Sequence, residues 1–123
     1  KIKNFGWPIS SYGKHYSDGN KITYEKYPLL KSHSDFGFEE PAKYFVPSIG
    51  ISEITKVDKK KYILSSLRER TIYEFNLKDL KYIEDFKQIY TNERIRDLIY
   101  REKDNKIFLF LEIREKLCEY VVI

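Results

Sequence analysis

The residues with the clearest chemical potential are Arg94 and Arg96, two apart in the run Glu93-Arg94-Ile95-Arg96-Asp97. In a strand, side chains alternate between faces, so both guanidiniums would leave one face about 6.6 Å apart along the chain. Such a pair suits a planar ligand bearing carboxylates, because guanidinium forks bind carboxylate bidentately and stay charged at any working pH. Two ordinary solvated arginines on an exposed strand have the same spacing, and exposed arginine is common. Arg68, at the end of Ser65-Ser66-Leu67-Arg68, is a third candidate cation. Asp35, Glu39 and Glu40 fall in polar, turn-rich text where solvated surface is the ordinary outcome. His15 and His33 show no metal-ligand spacing.

The elements that must position these groups read as strands. Eleven Tyr and eight Phe stand against no Met, and aromatic and β-branched residues favour pleated, half-buried surfaces. Apolar runs at 44–46, 51–57, 62–67, 71–77, 82–90, 95–100, 106–112 and 117–123 are separated by charged turns, which predicts an all-β chain without long helices. Residues 1–41 differ: Gly6, Pro8, Gly13, Gly19, Pro28, Gly37 and Pro41 interrupt every candidate element, so this stretch reads as an irregular loop region before a strand-rich part at 42–123. Trp7 is expected to anchor that loop in a core, since large aromatics usually bury area.

Composition excludes several functions. The charge of +4 is spread over interspersed Lys, Arg, Asp and Glu, with short clusters such as Lys59-Lys60-Lys61 in place of a basic face, which argues against a nucleic-acid binder. The longest apolar run, 107–111, is far short of the ~20 residues of a membrane-spanning helix. Cys118, the one cysteine, permits no internal disulfide and reads as a small buried side chain.

The strand-rich part repeats itself. Placing Ile51 over Ile95, an offset of 44 (95 − 51), sets Glu53 over Asp97, Ile54 over Leu98, Ile63 over Ile107 and Leu67 over Leu111. A period of about 40–45 residues with about four strands per unit is the signature of β-propeller blades. The first unit supplies four strands and the second three. In this alignment Gly50 and Ser52 stand where the second unit has Arg94 and Arg96, and Glu112 stands opposite Arg68.

Four segments carry a family resemblance: Asn4-Phe5-Gly6-Trp7-Pro8 with Ser11-Tyr12-Gly13 and Tyr16, Val46-Pro47-Ser48-Ile49, Ser65-Ser66-Leu67-Arg68, and Glu93-Arg94-Ile95-Arg96-Asp97. In order and spacing they resemble the C-terminal portion of the soluble sugar dehydrogenases that use pyrroloquinoline quinone (PQQ), the glucose/sorbosone dehydrogenase family. The resemblance implies a six-bladed propeller of which this chain supplies about the last two blades. It implies PQQ and calcium as cofactors, a sugar oxidised at its anomeric carbon, and a periplasmic location. Arg94 and Arg96 would clamp quinone carboxylates and Arg68 would make a third contact, although relatives usually carry Lys there. The Phe5 main-chain carbonyl would be a ligand to a structural calcium. The catalytic His would lie outside this chain, so the stretch is expected to be inactive by itself. A non-enzymatic propeller scaffold is the alternative, kept open by Arg68 and by Glu53 where relatives have small residues.

Overall fold

The computed structural model describes residues 3–15, 21–79, 81–112 and 116–121, with Lys21 and the last of these segments described for the backbone only. Seven strands follow one short helix, α1 (Lys21–Lys26): β1 (Ile51–Lys56), β2 (Lys61–Ser66), β3 (Thr71–Lys78), β4 (Tyr82–Tyr90), β5 (Ile95–Arg101), β6 (Lys106–Leu111) and β7 (Lys116–Val121). Two compact units result, Lys1–Ser48 and Ile49–Ile123.

The first unit is held by hydrogen bonds and stacked rings. The Asn4 carboxamide oxygen accepts the Gly6 N–H at 2.9 Å, and the Gly6 carbonyl in turn accepts from Ile9 and Ser10. Gly6 is required there: its φ is +81°, and an added Cβ would lie 2.5 Å from the Phe38 ring. The predicted strand at 44–46 does not form. Prolines bound it on both sides at Pro41 and Pro47, and the Tyr44 ring stacks on Tyr12 at 4.1 Å instead of joining a ladder. Trp7 is 86% exposed, so it is not the core anchor expected of it. The tight turn that closes on Gly6 carries the indole outward.

The second unit is two antiparallel meanders, one of order β1-β2-β3-β4 and one of order β5-β6-β7. They pack through Ile63 and Ile72 from the first sheet and Ile95, Leu98, Ile107, Leu109 and Leu111 from the second. β5 lies against β1 and β2, so the second sheet covers the first as one blade covers the next. The outer strand β4 is largely exposed, and the ring of Phe86 on it stacks on Tyr73 at 5.3 Å.

The repeat is present in three dimensions with one correction. Bulges fall at equivalent places, between Ile51 and Glu53 and between Ile95 and Asp97, which keeps the offset of 44 in the first strand of each sheet. Ile54 then pairs with Leu64, whereas Leu98 pairs with Leu109, so the offset becomes 45 (109 − 64) in the second strand. The extra residue lies in the β5–β6 turn, a 3-10 turn at Glu102–Asp104 closed by Asn105 at φ 55°. Arg101 braces it with two contacts to Asp104, at 2.8 and 2.6 Å, which hold the Asp104 carboxyl below its ordinary pKa. The counterpart of Leu67 is therefore Glu112, not Leu111, and that of Arg68 is position 113, outside the described residues. The backbone agrees: Leu67 N–H donates to the Gly50 carbonyl as Glu112 N–H donates to that of Arg94.

Candidate cofactor-binding site

Ile95 has no exposed surface and pins the first residue of β5 in the core. Its neighbours Arg94 and Arg96 are accordingly turned outward. Arg96 is the bulge residue, since Ile95 pairs with Leu111 and Asp97 with Phe110, leaving it no partner in the ladder. A bulge re-aims a side chain and bends its strand. The segment before β5 is fixed as well: the Thr91 hydroxyl donates to the Arg70 and Glu93 carbonyls at 2.8 and 3.0 Å.

The two guanidiniums meet on one carboxylate. Arg94 Nε lies 2.5 Å from Glu112 Oε2, and Arg96 Nη2 donates to Glu112 Oε1. Glu112 is brought opposite by the ladder, its N–H donating to the Arg94 carbonyl at 3.0 Å. The arginine side chains are 44% and 49% exposed and that of Glu112 30%, so the carboxylate sits deeper than the groups it holds. Ion pairs this exposed contribute about 0.2–1 kcal/mol each, too little to explain the cluster as a staple of the fold. The guanidinium separation is one that a carboxylate bridges, and two cations against one anion leave a positive balance.

Arg68 stands at the corresponding end of the first sheet. Ser65 and Ser66 have no exposed surface and are satisfied internally: the Ser65 hydroxyl lies 2.9 Å from that of Ser52, and the Ser66 hydroxyl accepts the Glu69 N–H at 3.1 Å. That tight turn delivers Arg68 outward, its own N–H bound to the Ile49 carbonyl at 2.9 Å. Gly50, the counterpart of Arg94, has φ +63°, and its Cα faces the Arg68 backbone. Arg94 and Arg96 are thus joined through Glu112, and Arg68 occupies the same end of the adjacent sheet. Sequence reasoning missed Glu112, although its place on the strand beside Arg94 was a usable signal.

The chain matches the family model described as Glucose / Sorbosone dehydrogenase over residues 1–117. It belongs to the glucose/sorbosone dehydrogenase family. A crystal structure titled as that of a glucose dehydrogenase superposes with a TM-score of 0.76 at 22% identity, covering 98% of this chain and 36% of the other. That likeness shows the fold, all-β antiparallel sheets arranged as consecutive propeller blades are; the chain spans little more than a third of that relative. Among curated proteins none matches. No helix among the described residues is long and apolar enough to cross a membrane.

In this chain the Phe5 carbonyl accepts from His33 Nδ1 at 2.7 Å. An N–H donor aimed at a carbonyl occupies one of the two lone pairs a cation would use. Among the described residues no three His, Cys, Asp or Glu gather around a possible metal. These residues therefore do not make a calcium site by themselves, since calcium takes 6–8 oxygens. Both histidines are committed: His15 Nε2 lies 2.8 Å from the Tyr27 carbonyl. Cys118 and Tyr16 lie outside the described side chains.

Asp35 and Glu39 are exposed as expected, but Glu40 has a structural task. Its carboxylate accepts from the Ser34 N–H at 2.7 Å and from the Tyr12 hydroxyl at 2.8 Å, while the Tyr12 ring stacks between His33 and Tyr44. The Ser34 N–H and then Tyr12 hold Glu40 below its ordinary value of 4.5, and the same bond raises the Tyr12 hydroxyl. A depressed carboxyl stabilises the fold above its ordinary pKa, and that contribution is lost as pH falls through the depressed value. Glu40→Gln is expected to lower the melting temperature at pH 7, with the gap to the unaltered protein closing as melts are repeated below pH 4.5.

Proposed function

We propose that this chain forms part of the cofactor-binding wall of a periplasmic quinoprotein sugar dehydrogenase, which oxidises an aldose at its anomeric carbon with PQQ and calcium. The observation that carries the reading is the convergence of Arg94 and Arg96 on a single carboxylate position at the start of β5. Pyrroloquinoline quinone, when bound, supplies the acceptor for the hydride leaving the anomeric carbon. The chain's own part is binding and orientation. Arg94 and Arg96 hold a carboxylate edge of the ring system, remain protonated at any working pH, and fix its rotation through paired N–H donors. Arg68, at the same end of the neighbouring blade, would neutralise a second oxygen. The Phe5 carbonyl would give its remaining lone pair to a calcium whose other oxygens come from elsewhere in the parent protein. No histidine of this chain serves as the base, since His15 and His33 are tied to the Tyr27 and Phe5 carbonyls.

The test uses the full-length protein, titrated with the quinone in the presence of calcium and followed by absorbance. Aldose-dependent bleaching of an artificial electron acceptor is the second measurement. Saturable uptake with one quinone per chain, followed by aldose-dependent bleaching, is the expected result. Failure to take up quinone at micromolar concentrations with calcium present would sink the dehydrogenase reading in favour of a binding scaffold.

A further inference from the structure

Glu112 poses a question the proposed function leaves open. A carboxylate already lies on both arginines, so it either competes with the ligand or prepares the arginines for it. Three observations decide between these. Glu112 is less exposed than either arginine, with Oε2 fully buried, so it lies behind the guanidiniums and not in front of them. It meets one edge of each, by a close ion-pair contact with Nε of Arg94 that is not a hydrogen bond and by a hydrogen bond from Nη2 of Arg96, and among the described residues the terminal Nη groups of Arg94 and the remaining N–H groups of Arg96 have no other acceptor. Its backbone is held by the 3.0 Å bond to the Arg94 carbonyl, which keeps the Glu112 Cα beside the pair.

We propose that Glu112 is a positioning residue that holds Arg94 and Arg96 side by side from beneath and presents their free edges as a preformed receptor for a ligand carboxylate. Two guanidiniums at this separation repel each other and would otherwise sample separate rotamers. A shared carboxylate between them offsets the repulsion and removes rotamer freedom before the ligand arrives, and preorganisation of this kind raises affinity. Arg94, Arg96 and Glu112 together carry a net charge of +1, with Glu93 and Asp97 flanking them in sequence. The inference rests on the cofactor reading above for the ligand's identity, but not for the ion-pair geometry.

The test compares Glu112→Ala and Glu112→Gln with the unaltered full-length protein, using two probes: PQQ, and benzene-1,3,5-tricarboxylate, which has carboxylates but no quinone. Removing a negative charge beside an anion site would tighten binding if Glu112 were a competitor. The expected result is the reverse: Glu112→Ala weakens both probes by about tenfold, within the range coupled neighbours show. Glu112→Gln, which keeps one acceptor oxygen, is expected to lose less. In an Arg94→Ala, Arg96→Ala background Glu112→Ala is expected to add nothing, an outcome that general damage to the fold would not give. The NMR signal of the Arg94 Nε–H in the ligand-free protein is expected to shift in Glu112→Gln. Unchanged or tighter binding in Glu112→Ala overturns the proposal. Tricarboxylate binding without quinone uptake by the unaltered protein would overturn the dehydrogenase reading and leave Glu112 to be judged on the tricarboxylate. Binding of neither probe overturns both.

Discussion

Replacing both Arg94 and Arg96 with alanine is expected to weaken quinone uptake by the full-length protein at least tenfold, and more than a hundredfold if both contacts keep their full strength in the complex. A charge-assisted hydrogen bond contributes about 1.5–3 kcal/mol, and at least two would be lost. The half-exposed position of both side chains argues for the lower part of that range. Stability moves little in the same variant, by about 1 kcal/mol or less, because exposed ion pairs add little to folding. That separation gives the experiment its force: a large loss of uptake with a nearly unchanged melt identifies a binding pair. Unchanged uptake removes the clamp assignment.

Ile95→Ala is expected to act first on stability, with a loss of about 2–4 kcal/mol. Ile95 has no exposed surface and sits in the cluster where the two blades meet, with Leu98, Ile107, Leu109, Leu111, Ile63 and Ile72. Truncation there removes three buried carbon groups and leaves a cavity that a stiff sheet fills only partly. Urea denaturation of the full-length protein measures it, with Ile95→Val as a control losing about 0.5–1.5 kcal/mol. Because Ile95 lies between the two arginines, its loss also slackens the receptor, and quinone uptake falls in parallel. A denaturation midpoint that does not move would show that Ile95 is not where the blades join.

Much of the strand layout was legible because the signal is local. The runs at 51–57, 62–67, 71–77, 82–90, 95–100 and 106–112 became β1 to β6 with no end moved by more than one residue. Tyr44 to Val46 failed because strand propensity says nothing about whether a partner strand is present, and between two prolines none was. Trp7 failed for a related reason: the indole's preference for burial gave way to the turn that Gly6 imposes.

The sequence by itself determined the all-β class, the blade-like period, and the presence of two arginines on either side of one apolar residue. Each is a property of residue type and short-range alternation, which the pleat of a strand converts directly into faces. Only the tertiary structure decided how those arginines are used. The extra residue in the β5–β6 turn shifts the facing strand by one position relative to the first sheet, which places Glu112 on the pair and moves the counterpart of Arg68 to position 113. Register is set by cross-strand hydrogen bonds and turn geometry, and a one-residue slip exchanges every partner while leaving the pattern of each strand unchanged.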